Sequence, residues 1–183
     1  MKLRILHILF IITISSASAQ AQDYWLSAYS PTNINLKKAS FVDSLTGWVC
    51  GDSGLIMKTS NGGQNWIKQN SNSEAFLHDI FFLNKRLGWA LEWNIFNPQP
   101  PYGTFFLKTT NGGIDWDTSF FPMENVFLRK VYFQDSLYGF LGGSYKNLLR
   151  TTNGGQDWLD VEIDSLVVNN FPVLNFSFFN TNY

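Results

Sequence analysis

The octapeptide Thr-x-Asn-Gly-Gly-x-x-Trp occurs three times, starting at Thr59, Thr109 and Thr151 and ending at Trp66, Trp116 and Trp158. Each copy closes a run of apolar and β-branched residues, and each is preceded by a basic one, Lys58, Lys108 or Arg150. Successive copies start 50 and 42 residues apart. A unit of that length cannot bury its own apolar face and must stack against further copies of itself. The spacing therefore restricts the chain to a repeat architecture before any other residue is read.

Aligning the copies exposes the rest of the unit. A Gly-aromatic pair precedes each box: Gly47-Trp48, Gly88-Trp89 and Gly139-Phe140. Ahead of each pair lies an alternating segment that closes on a turn, at 39–44, 78–83 and 130–135. One unit thus reads as strand A, a turn, strand B from the Gly-aromatic pair, a connection, strand C into the box, and strand D from the box Trp. Period-2 alternation with Gly, Asn and Asp punctuation predicts antiparallel strands. The fold class is all-β: a β-propeller of four-stranded antiparallel blades, with about three blades present. Residues 171–180 read as the first strand of a fourth. Propellers close with four or more blades, so the chain reads as a fragment of a longer protein. An open arc leaves apolar edges unpaired, which predicts poor solubility alone.

The box follows from turn chemistry. Asn-Gly accepts the positive φ of a tight hairpin, and a short Asn or Thr side chain can bond the turn's own N–H groups. On these residues the sequence resembles the Asp-box (BNR) repeat of sialidases, sortilin-type receptors and related propellers. Asn61, Asn111 and Asn153 stand where that family usually has Asp. The structural box positions are then Thr59, Asn61, Gly63 and Trp66; Thr109, Asn111, Gly113 and Trp116; and Thr151, Asn153, Gly155 and Trp158. The longer unit, strand plus Gly-aromatic pair plus box, is similar to the photosystem II stability/assembly factor-like family over nearly all of 39–183. That resemblance implies a propeller and, in assembly-factor members, an Arg-rich surface patch. After residue 19 the chain has only Arg86, Arg129 and Arg150, one per unit.

The N-terminus has a separate logic. Lys2 and Arg4 precede an apolar stretch at 5–14, and Ala17-Ser18-Ala19 offers a small-x-small cleavage site. This is the pattern of a secretory signal peptide, with a core too short to cross a bilayer as a helix. The expected organisation is signal peptide 1–19, an N-terminal segment 20–38 with a candidate ring-closing outer strand at 24–29, and propeller repeats 39–183. The product is expected to be exported, whether periplasmic, cell-surface or secreted, with no transmembrane segment after cleavage. Of 13 Lys and Arg, two leave with the signal, giving 11 against 14 acids. That balance argues against nucleic acid as a partner. Cys50 is the single cysteine; inside a strand with no basic neighbour it reads as a small core residue.

Function must sit outside the boxes. A–B and C–D turns share one end of the blades and B–C and D–A connections the other, so the boxes lie opposite the B–C end and read as scaffold. From the Gly of each pair to the box Thr the gaps are 12, 21 and 12 residues. The long second gap holds Glu92 to Tyr102, with three of the six prolines and three aromatics. Prolines lower the ordering cost of a loop and aromatics supply stacking surface. Trp93, Phe96 and Tyr102 are therefore the candidate ligand-binding residues.

Catalytic residues are not selected by spacing: Glu74, Glu92, Asp117 and Glu124 are read as acids of the B–C end, with no pair distinguished. Asp160, Glu162 and Asp164 alternate along the third outer strand as an acidic edge, and His78 has no metal-ligating partner in sequence. No metal and no cofactor are expected. The sequence points to an exported, non-catalytic binding or scaffold module for a protein or carbohydrate ligand, its ligand face on the B–C and D–A connections. Two alternatives stand beside it: a fragment of an Asp-box glycoside hydrolase of sialidase or glucanase type, and a photosystem II assembly factor-like protein.

Overall fold

The computed structural model describes residues 30–95, 100–143, 148–161 and 173–176. These form twelve strands in three four-stranded antiparallel sheets, and each sheet is ordered as its strands follow in the chain. Blade 1 is β1 (Leu36–Phe41), β2 (Gly47–Gly51), β3 (Ile56–Thr59) and β4 (Ile67–Gln69). Blade 2 is β5 (Phe76–Phe82), β6 (Gly88–Asn94), β7 (Gly103–Thr109) and β8 (Asp117–Phe120). Blade 3 is β9 (Leu128–Phe133), β10 (Gly139–Gly143), β11 (Leu148–Thr151) and β12 (Leu159–Asp160). The fold is the expected propeller arc. The signal segment 1–19 and most of the expected fourth-blade strand lie outside the described residues; within 173–176, Val173 N–H donates to the Gly143 carbonyl (2.8 Å).

The strands of type A end earlier than the alternation suggested, because an Asx turn stops each one. Asp43, Asn84 and Asp135 each accept two backbone N–H bonds of the following turn, at 2.6–2.9 Å. The Gly-aromatic pair has a packing reason. A methyl group at Gly47, Gly88 or Gly139 would stand 2.5–2.6 Å from the ring of Phe41, Phe82 or Phe133 on the neighbouring strand. The aromatic partner then leaves its own blade: Trp48 stacks on Phe82 (ring centroids 3.6 Å apart) and Trp89 on Phe133 (3.5 Å). These stacks anchor two cores, one at each junction between blades.

The boxes repeat to within a tenth of an ångström. Each Thr hydroxyl donates to the Asn side-chain oxygen (3.0, 3.0 and 2.9 Å) and accepts from the second Gly N–H (2.9, 3.0 and 3.0 Å). One detail corrects the sequence reading: positive φ falls on both glycines of every box (70° and 87° in the first) and not on Asn. Asn instead stays free to accept the N–H four residues on. The basic residue before each of the first two boxes is an inter-blade strap. Lys58 donates to Gly112 O (3.3 Å) and Lys108 to Gly154 O (3.1 Å), each in the next blade's box. The box Trp ends the turn rather than opening strand D, which starts one residue later at Ile67, Asp117 and Leu159.

Turn-to-turn bonds fix which connections share an end. Gly62, Gly112 and Gly154 N–H donate to Leu45, Arg86 and Leu137 carbonyls, joining C–D to A–B turns. Gly54 N–H donates to Ala75 O (2.6 Å), joining a B–C to a D–A connection at the other end.

Candidate functional site

Blade 2 is taller than its neighbours. Strands β6 and β7 have seven residues each, against five and four in blades 1 and 3. Of the nine residues by which the second unit is longer, five extend its strands and four lengthen its connection, 95–102 against 52–55. At ~3.3 Å per residue the sheet rises about 7–10 Å beyond blade 1 at the B–C end. Its faces there must be covered by something other than a matching blade.

Towards blade 3 the cover is complete, and it uses Trp93. That residue belongs to β6 and not to the loop, which corrects its expected placement. Alternation puts it on the same face as Trp89 and Leu91. Its ring is 9 % exposed, stacks on His78 (3.5 Å), meets Phe127 edge-on and lies under the Arg129 guanidinium (4.7 Å). Nε1 donates to Leu128 O (2.6 Å), bolting blade 2 to blade 3. Desolvation, with Arg129 beside it, holds the His78 imidazole down at about 4. Tyr102, at the end of the connection, is 37 % exposed. Phe96 lies outside the described residues. Asn94 Nδ2 ties the strand end to Pro101 O (2.7 Å).

Towards blade 1 the cover is incomplete. The position matching Trp93 in blade 1 is Asp52, just past the end of β2, where its carboxylate pairs with Lys37 (3.2 Å). In place of an aromatic ring, the D–A segment 72–76 leans against blade 2, and a cleft of about 860 Å³ remains. Its walls include Ser73, Glu74, Glu92, Phe105, Trp116 and Asp117. Glu92 is 9 % exposed; the Ser73 hydroxyl bonds its carboxyl, but Oε2 has no partner. Burial pushes its titration above the ordinary carboxylate value. Trp116 also lines the cleft; its Nε1, like that of Trp89 in the other junction, is a buried donor without a partner.

Three of the four acids read as belonging to the B–C end thus line one cleft, though Asp117 reaches it from the box end, opposite Lys108. Glu124 does not line it. The sequence missed Trp116, whose box position suggested scaffold alone, and the polar run Asn70-Ser71-Asn72-Ser73, which marked the D–A connection. Cys50 is fully buried, and desolvation raises its thiol. Arg86 sits in an A–B turn at the box end. Among the described residues, no three His, Cys, Asp or Glu side chains are grouped to hold a metal, and no helix is long and apolar enough to cross a membrane. Glu162 and Asp164 lie outside the described residues.

No protein-family model matches the chain, and no curated protein matches it. Solved structures do. A YCF48 bound to a D1 peptide is 23 % identical with a TM-score of 0.64, over 77 % of this chain and 44 % of that one. YCF48 from Cyanidioschyzon merolae is 20 % identical, with a TM-score of 0.58, over 76 % and 44 %. The GH74 enzyme of Niastella koreensis is 16 % identical, with a TM-score of 0.55, over 70 % and 23 %. At these identities the likeness is one of fold, and the chain spans under half the length of the YCF48 chains it matches.

Proposed function

We propose that this chain is an exported, non-catalytic propeller module that binds a polypeptide on the end formed by its B–C and D–A connections. The observation that carries the proposal is the cleft beside blade 2. It is lined by a D–A segment, the end of a B strand and residues of strands C and D of blade 2, and it holds a nine-tenths-buried carboxylate with an unmet bond. Buried polar groups are normally satisfied, so a residue in a cavity wall whose carboxylate keeps an unmet bond suits a ligand better than a fold. Export rests on the leader-like 1–19. A peptide ligand is supported by the solved complex of the propeller YCF48 with a peptide. Tyr102 stands exposed at the same end and is included in the proposed face.

Phage-displayed peptides selected on the whole immobilised chain test this reading. Enriched peptides should lose binding when Glu92→Gln or Tyr102→Ala is introduced and keep it in Asn153→Ala, in the box of blade 3. Loss on the box-end variant with retention on the others, or no enrichment over an unrelated propeller, overturns it.

A further inference from the structure

The cleft's lining carries a charge argument that its shape does not. Glu74 and Glu92 line it, Asp117 borders it on the face it shares with its cross-strand partner Lys108, and no Lys or Arg lines it among the described residues. Glu92 is the critical member, because Ser73 is its hydrogen-bonding neighbour and no cation lies close enough to offset its burial. A carboxylate buried without a counter-charge carries an uncompensated desolvation cost. A ligand that brings its own cation removes that cost, whereas a neutral hydroxyl satisfies one oxygen and leaves the charge. Phe105 and Phe76 add apolar walls of the kind that cover the methylene stem of a long basic side chain.

Building on the peptide-binding reading above, we infer that the cleft on the blade 1 side of blade 2 accepts a basic peptide, with a Lys or Arg head group against Glu92.

Fluorescence anisotropy on the whole chain decides it, with a short labelled peptide of alternating lysine and serine, its glutamate-for-lysine counterpart, and a neutral cello-oligosaccharide as probes. The lysine peptide should bind and the glutamate peptide should not. Glu92→Gln should weaken the lysine peptide about thirtyfold, as expected for removing one partner of a buried ionic pair. Asp160→Asn, an equal change of net charge on the exposed outer strand of blade 3, should leave it unchanged. A thermal melt of Glu92→Gln no lower than wild type excludes simple unfolding. If the oligosaccharide binds in a Glu92-dependent way and the lysine peptide does not, the cleft is a ligand site but the cation assignment is wrong. If peptides selected on the chain bind through Tyr102 but are indifferent to Glu92→Gln, the peptide-binding reading survives and the basic-peptide inference falls. Equal weakening by Asp160→Asn would reduce the effect to bulk charge and also overturn the inference.

Discussion

Blade 2 meets its two neighbours differently. At the box end the junctions are copies: Trp48 on Phe82 and Lys58 to Gly112 on one side, Trp89 on Phe133 and Lys108 to Gly154 on the other. At the B–C end they diverge. The junction with blade 3 is filled by Trp93, its ring held by His78, Phe127 and Arg129. The junction with blade 1 has Asp52 at the matching position and a cleft beside Glu92. The two residues are adjacent on β6 and point to opposite faces. One strand therefore closes one junction and leaves the other open. The difference teaches that a site in a repeat protein arises where a shared length rule is broken, here by two extra residues in β6 and three in β7.

The largest expected effect tests the closed junction. Trp93→Ala removes a buried indole, its bond to Leu128 O and its stack on His78. Loss of a packed aromatic of this kind costs about 3–5 kcal/mol, so denaturant unfolding should shift to much lower midpoint. Tyr102→Ala, at an exposed ring, should stay within about 0.5 kcal/mol of wild type. Equal effects from the two would mean that Trp93 is no more a junction residue than Tyr102, and the contrast would fail.

The open junction should respond with the opposite sign. Glu92→Leu keeps the volume and deletes a buried carboxylate that lacks a compensating cation, so stability should rise by about 1–2 kcal/mol. A fall of similar size would show that Glu92 is a satisfied structural group and that the cleft is part of the fold. The pair of substitutions thus separates adjacent positions on one strand by sign as well as by size.

How much of this was legible depended on whether the cause was local. The boxes could be read because Thr, Asn and the second glycine complete their hydrogen bonds within five residues. The Gly-aromatic pairs were also legible as markers, although their cause, a Phe ring lying across the Gly Cα, is a cross-strand contact. The gap of 21 residues pointed to the right blade and to the wrong element. Its excess was read as loop, whereas most of it extends the sheet. Alternation held the missing signal: Trp89, Leu91 and Trp93 fall on one face in steps of two, which places Trp93 with the core and not with Tyr102. The cleft could not be read, since it exists only where a tall blade stands beside a short one.

Acid titration offers the smallest effect and the sharpest comparison of sign. At the closed junction, His78 has a folded value near 4, below its ordinary 6.5, because burial and Arg129 disfavour its charged form. The unfolded chain therefore takes up this proton first, and the contribution to stability is full above pH ~6.5 and declines as pH falls towards ~4. Solvent screening of a partly exposed ring limits the loss to about 1 kcal/mol. At the open junction, Glu92 titrates above its ordinary value, so its protonated form favours the folded state and its contribution is lost as pH rises through the folded value. The two junctions thus push stability in opposite directions over the weakly acidic range. Chemical unfolding followed from pH 4 to 7 should show a shallower acid limb in His78→Phe and a steeper net rise with pH in Glu92→Gln than in wild type. Parallel profiles for wild type and both variants would mean that neither junction holds its titrating group away from solvent, and the contrast between a packed and an open face of blade 2 would lose its electrostatic half.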